Sequence, residues 1–89
     1  MDKWDKMATK FFKEMFRRVG EEFPNEELTN DKDWYKKRSW TEKQQEDFKK
    51  WMKKELKKTF PDLSARKVEW EAGIFLLSYG WTTKEAQNG

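Results

Sequence analysis

The sequence predicts a small all-α domain of three helices, with the C-terminal helix at its centre. Apolar residues recur at helical spacing in three segments, a capping side chain precedes each segment, and glycine or proline follows each one. The 89 residues are 42% charged, and six tryptophans, seven phenylalanines and two tyrosines supply the bulk of the apolar surface. This length has room for one core. We therefore expect one domain over residues 1–81 and a flexible tail over residues 82–89.

The first helix is predicted over residues 3–19. Its apolar face is predicted from residues that recur at intervals of three and four: Trp4, Met7, Phe11 and Met15, with the offset partners Ala8, Phe12, Phe16 and Val19. Asp2 is placed to cap the start of the helix, and Gly20 to end it in the left-handed conformation. Residues 20–40 then form a connection without a sustained period, in which a short fourth helix is an alternative for the stretch that follows Asn30.

The second helix begins at a sequence typical of a capping box. The Thr41 hydroxyl is expected to accept a hydrogen bond from the Gln44 backbone amide, and the Gln44 side chain to reach back to Thr41. Pro61 marks where this helix must stop. Its inward stripe is predicted from apolar spacing to be Phe48, Trp51, Met52, Leu56, Thr59 and Phe60.

The third helix is predicted over residues 65–79, with Ser64 as its cap and Gly80 as its stop. A Schellman motif at this stop would bring Trp81 against Leu76. One face carries Ala65, Val68, Ala72, Phe75, Leu76 and Tyr79. A second face carries Trp70, Ile74 and Leu77. Because a helix that is apolar on most sides is usually buried, we expect the third helix to be central.

The composition argues against most catalytic chemistry. The chain has no cysteine and no histidine, and so it lacks thiol nucleophiles, the commonest general base and the commonest transition-metal ligand. Glu69 and Glu71 interrupt an apolar helix, where burial would raise their pKa values. The alternative for both is an ordinary salt bridge with Arg17, Arg18 or Arg66. We expect no enzyme activity, no metal, no cofactor and no small-molecule substrate.

Lysine and arginine are concentrated between residues 34 and 58. This segment contains ten of them and four acidic residues. Basic side chains interleaved with aromatic ones can pair phosphates and stack on bases. The alternative function is therefore a nucleic-acid-binding module that uses the basic segment 36–58. Its candidate residues are Lys36, Lys37, Arg38, Lys50, Lys53, Lys54, Lys57 and Lys58. The helix dipole is the competing explanation, because it also favours lysines near the C-terminus of a helix.

The number of large aromatic residues favours a different function. Six tryptophans are more than one small core is expected to cover, and large exposed aromatics mark protein contact surfaces. Trp34, Tyr35 and Trp40 are the candidate interaction residues. The leading expectation is a non-catalytic protein-interaction module whose partner is another protein.

No apolar run approaches the roughly 20 residues that cross a bilayer, and residues 1–6 contain no apolar signal core. We therefore expect no membrane partner and a cytoplasmic location.

Two stretches carry a resemblance to known sequences. Trp40 and Thr41 followed by Gln44, and the run from Phe75 to Trp81, resemble a group of small uncharacterised proteins from bacteriophages and gut-associated bacteria. The similar region covers about residues 12–83. Its residues are helix caps and core aromatics, so the resemblance implies a shared fold and an intracellular prokaryotic setting, without an activity.

Overall fold

The computed structural model describes residues 2–23 and 39–80, together with the backbone of residues 82–83. Within these ranges it is an all-α structure of three helices, as predicted, with two very short strands. The alternative of a fourth helix after Asn30 lies outside the described residues. In chain order the elements are α1 (Lys3–Arg18), β1 (Ser39–Trp40), α2 (Glu42–Thr59), α3 (Ala65–Tyr79) and β2 (Thr82–Thr83).

The chain divides into two compact units, Met1–Lys37 and Arg38–Gly89. The first contains α1, and the second contains α2, α3 and the paired strands. The expectation of a single domain over residues 1–81 stays a prediction.

Both ends of α1 form as the sequence predicts. The Asp5 backbone N–H donates to Asp2 Oδ1 at 2.8 Å, which caps the first turn. At the other end, the Gly20 N–H donates to the Arg17 carbonyl and the Glu21 N–H to the Phe16 carbonyl, both at 3.0 Å. Gly20 has a φ of 78°, so these two bonds form a Schellman motif.

The buried residues of α1 all belong to its predicted apolar face, but Trp4 of that face is 42% exposed. The buried residues are Met7, Phe11, Met15 and Phe16. The Phe16 ring meets the ring of Phe23 edge-on, with 5.6 Å between centroids. Arg17 and Arg18 both bind the half-buried Glu14 carboxylate. Their hydrogen bonds, chiefly that of Arg17, hold the pKa of Glu14 below its usual value.

The capping box of α2 is confirmed in both directions. Thr41 Oγ1 accepts from the Gln44 backbone N–H at 3.0 Å, and the Thr41 backbone N–H donates to Gln44 Oε1 at 2.7 Å. Two otherwise unsatisfied backbone donors are paired at this helix end. The fully buried stripe of α2 is Phe48, Met52 and Leu56, whereas Trp51, Thr59 and Phe60 of the predicted stripe are half-buried.

The start of α3 is confirmed and its end differs from the prediction. Ser64 Oγ accepts from the Lys67 backbone N–H at 3.1 Å. Gly80 donates its N–H to the Leu76 carbonyl at 2.7 Å, but its backbone is extended (φ −64°, ψ 140°). The left-handed Schellman conformation is therefore not adopted there. Glycine is still required, because a Cβ at this position would overlap the Leu76 carbonyl oxygen. Trp81 lies outside the described residues.

The core of the second unit is centred on Phe48. Its ring lies 5.3 Å from that of Trp40, 5.8 Å from that of Trp51 and 6.4 Å from that of Phe75, measured between centroids. Phe48 belongs to α2 and Phe75 to α3, so this cluster joins the two helices. They run antiparallel and form a helical hairpin. Aromatic pairs at these distances add directional contacts to the burial of apolar area.

Two residues of the predicted tail form a short strand, and the expectation of a flexible tail over residues 82–89 stays a prediction. Ser39 pairs with Thr82 and Trp40 with Thr83, in parallel. The backbone at Gly80 is extended, and threonine is a favourable strand residue. Residues 84–89 lie outside the described residues.

The expectation that α3 is central is wrong. Its buried residues form a single stripe, Val68, Ala72 and Phe75. Trp70 is 60% exposed and Leu77 is 88% exposed. The physical reason is that α3 packs on α2 through one face, and helix geometry turns Trp70 and Leu77 away from that face.

Candidate functional site

Three of the exposed large apolar side chains that the structure describes lie on one side of α3. Trp70, Ile74 and Leu77 are separated by four and three residues, so they follow one another along the helix surface. We call these three residues the α3 apolar stripe. At 3.6 residues per turn the stripe lies nearly opposite the buried face of Val68, Ala72 and Phe75. The helix therefore has two apolar faces, of which the core covers one.

Gly73 lies in the middle of this stripe. A Cβ built at Gly73 meets no heavy atom within 4 Å in the described structure, so no intrachain contact requires glycine there. Glycine inside a helix costs roughly 1 kcal/mol relative to alanine. Because Gly73 has no side chain, the helix backbone stays uncovered between the three apolar side chains.

The α3 apolar stripe forms one wall of a shallow groove of about 840 Å³. Polar and charged side chains surround the apolar ones, as is usual at protein contact surfaces. The groove is lined by Lys49, Ser64, Arg66, Lys67, Glu69, Trp70, Gly73, Ile74 and Leu77.

The charges at the two ends of the stripe have opposite signs. Arg66 and Lys67 lie in the first turn of α3, at the end nearer Trp70. Near Leu77, a neighbouring depression is lined by Glu42 and Glu46 of α2, together with Lys49, whose charge is paired with Glu69. This placement follows from the antiparallel hairpin, which brings the acidic start of α2 beside the last turns of α3.

Glu69 joins the two helices through a double ion pair. Its carboxylate oxygens lie 2.7 Å from Lys49 Nζ and 2.6 Å from Lys53 Nζ. The hydrogen bonds from Lys49 and then Lys53 lower the pKa of Glu69 to about 2. The expectation of a raised pKa is wrong for this residue because the carboxylate is half exposed and paired. Glu71 also forms an ordinary pair, with Lys67 at 3.1 Å.

The basic segment is only partly available for phosphate contacts. Lys53 binds Glu69, and Lys57 Nζ donates to the Leu63 carbonyl at 2.9 Å. The remaining candidates on α2 are exposed and lie at intervals of four, on one face: Lys50, Lys54 and Lys58. Lys36, Lys37 and Arg38 lie outside the described residues.

Of the three predicted interaction aromatics, the structure describes only Trp40. Trp40 is fully buried against Phe48, which corrects the expectation that its ring is available to a partner. Trp34 and Tyr35 lie outside the described residues. Three described aromatic side chains are exposed: Trp70 at 60%, Trp4 at 42% and Tyr79 at 40%. The sequence predicts Trp70 in the core, because α3 is apolar on most sides. The spacing of Trp70, Ile74 and Leu77 around a glycine was the available signal.

Over residues 2–23 and 39–80, every fully buried side chain is apolar. In the same ranges no three acidic side chains gather in a way that could hold a metal ion. None of the described helices combines the length and apolarity needed to cross a membrane.

Comparison with known proteins adds no relative. No protein-family model matches the chain, no curated protein is significantly similar to its sequence, and no solved structure is significantly similar to its fold. The resemblance to small phage and bacterial proteins stays an expectation.

Proposed function

We propose that this protein is a non-catalytic protein-interaction module whose contact surface is the α3 apolar stripe. The observation that carries the proposal is the exposure of Trp70, Ile74 and Leu77 along one helix face, away from the core. Apolar helix faces of this kind dock into grooves or against other helices through residues at these spacings.

The contact energy available to the stripe supports this function. A tryptophan side chain carries on the order of 150 to 250 Å², and Trp70 is 60% exposed. At ~25 cal/mol per Å², covering its exposed part contributes about 2 to 4 kcal/mol. Leu77 and Ile74 add to this, while the charged rim supplies orientation. Trp70 is therefore the expected energetic centre of the contact.

Site-directed photo-crosslinking in the expressing cell tests the proposal. Leu77→p-benzoylphenylalanine places a reactive group on the stripe, and Lys50→p-benzoylphenylalanine places the same group on the exposed side of α2 as a matched control. The expected result is a crosslinked protein adduct at position 77 that Trp70→Ala abolishes, with no such adduct at position 50. Equal crosslinking at both positions, or none at position 77, would contradict the proposal.

Nucleic-acid binding through the basic segment is the alternative. It is favoured by one observation, the shared exposed face of Lys50, Lys54 and Lys58. Genuine phosphate contacts release counterions, so binding to DNA or RNA must weaken steeply as salt rises. A titration at two salt concentrations, repeated with Lys50→Glu and Lys54→Glu together, tests it. Salt-sensitive binding that this variant abolishes would promote the alternative above the protein-contact function.

The proposal also places the protein in the cytoplasm of a bacterium or of a phage-infected cell. The resemblance to small phage and bacterial proteins supports this setting.

A further inference from the structure

We infer that the partner that covers the α3 apolar stripe is a second copy of this chain, packed antiparallel about a two-fold axis near Gly73. The inference rests on the proposed function, because it names the occupant of the same surface. In such an arrangement each copy presents the same residues to the other, so the surface must be complementary to itself.

The charges at the ends of the stripe meet this condition. One end carries Arg66 and the other carries Glu42 and Glu46. A two-fold axis across the stripe reverses its direction, so that Arg66 of each copy faces Glu46 of the other. A parallel arrangement would instead set like charges against each other, which is unfavourable.

The distances along the helix agree with this pairing. Arg66 lies seven residues before Gly73, or about 10 Å at a rise of 1.5 Å per residue. Glu46 lines the same depression as Leu77, which lies four residues after Gly73, about 6 Å along the axis. The long guanidinium side chain of Arg66 spans the difference between the two positions.

Gly73 gives the second independent observation. A Cβ at this position would project into open space among the described residues, so intrachain packing does not explain the glycine. At the centre of a two-fold helix pair, the absence of a side chain lets the two backbones approach closely. Trp70 of one copy then lies beside residues 76 and 77 of the other.

The area of the α3 apolar stripe limits the expected affinity of self-association. A stripe of three side chains exposes on the order of a few hundred Å², whereas standard stable interfaces bury ~800 Å² on each partner. Self-association is therefore expected to be weaker than that of a standard stable dimer. It should appear as a concentration-dependent mass.

Sedimentation equilibrium of the purified chain with two charge variants tests the inference. Arg66→Glu and Glu46→Lys should each weaken self-association about tenfold or more, because every copy then meets like charges at both ends of the interface. An equimolar mixture of the two variants should recover dimers. In the mixed pair both ends again carry opposite charges, and circular dichroism confirms that both variants stay folded.

Two outcomes would overturn the inference. A parent chain that stays monomeric up to the millimolar range shows that a second copy is not the occupant. Self-association that is unchanged by either variant, or not recovered by mixing, shows that the copies are not arranged antiparallel about Gly73. In both cases an adduct with a different protein at position 77 would leave the proposed function standing. If that adduct were also absent, the proposed function would fail as well.

Discussion

Val68 and Trp70 are separated by one residue of α3 and lie in opposite environments: Val68 is 2% exposed and Trp70 is 60% exposed. Two residues turn a helix by roughly 200°, so the side chains point to nearly opposite sides. The face of Val68 closes the core against α2, and the face of Trp70 is exposed. Under the proposed function, an apolar side chain on this helix therefore contributes to stability or to association according to its face.

The first prediction contrasts these two roles. Phe48→Ala should lower the free energy of unfolding by about 3 to 5 kcal/mol, because it removes the ring at the centre of the aromatic cluster and leaves a cavity. Trp70→Ala should lower it by less than ~1 kcal/mol, because the ring is mostly exposed. Urea unfolding at low protein concentration measures both. A comparable loss in the two variants would mean that Trp70 is a core residue.

The second prediction concerns the capping box of α2. Thr41→Ala removes the acceptor of the Gln44 backbone N–H and should cost about 1 kcal/mol. Thr41→Ser keeps a hydroxyl in the same place and should recover most of that loss. The thermal unfolding midpoints of the parent and the two variants test this prediction. A Thr41→Ala variant with the same midpoint as the parent would show that the cap contributes no measurable stability.

Local signals in the sequence predicted most of the helical boundaries. Capping side chains at Asp2, Thr41 and Ser64 act on neighbouring backbone groups, so sequence alone placed the three helix starts. Gly20 ended α1 for the same local reason. The pairing of Thr82 and Thr83 with β1 joins residues far apart in the chain, so no local sequence pattern predicted it.

The candidate surface was harder to predict than the helices. The apolarity of α3 was visible, but apolar residues are equally compatible with a core and with an interface. Which face is covered depends on how many elements pack on the helix, and that is a property of the tertiary structure. The same limitation explains why Trp40 was assigned to a contact surface and is fully buried.

The third prediction concerns acid pH. Glu69 has a pKa of about 2 in the folded chain, against an ordinary value of 4.5, because Lys49 and Lys53 stabilise the carboxylate. A lowered pKa contributes stability above the ordinary value, and this contribution is lost as pH falls from 4.5 towards 2. The stability difference between the parent and Glu69→Gln should therefore shrink over that range. The side-chain carboxyl resonance of Glu69, followed by NMR, should titrate near pH 2; titration near 4.5 would show that the double ion pair does not form in solution.

The fourth prediction separates stability from association at one residue. Gly73→Ala should raise the free energy of unfolding by up to ~1 kcal/mol, because alanine is the better helix former and its methyl group meets no described atom. The same methyl group should weaken self-association, because it keeps the two helix backbones apart. Unfolding at low concentration and sedimentation at high concentration measure the two effects. A variant that is less stable, or that associates as tightly as the parent, would contradict the role given to Gly73.

The central claim is that the α3 apolar stripe is exposed in the isolated chain and covered on association. Fluorine NMR of the chain labelled with 5-fluorotryptophan, in the presence of a soluble paramagnetic agent, tests it most directly. Trp70→Phe and Trp40→Phe assign the two resonances. At the lowest concentration the Trp70 resonance should broaden strongly while that of Trp40 stays sharp, and the Trp70 resonance should become protected as concentration rises. A Trp70 resonance as protected as that of Trp40 at the lowest concentration, or equally broadened at every concentration, would contradict the account.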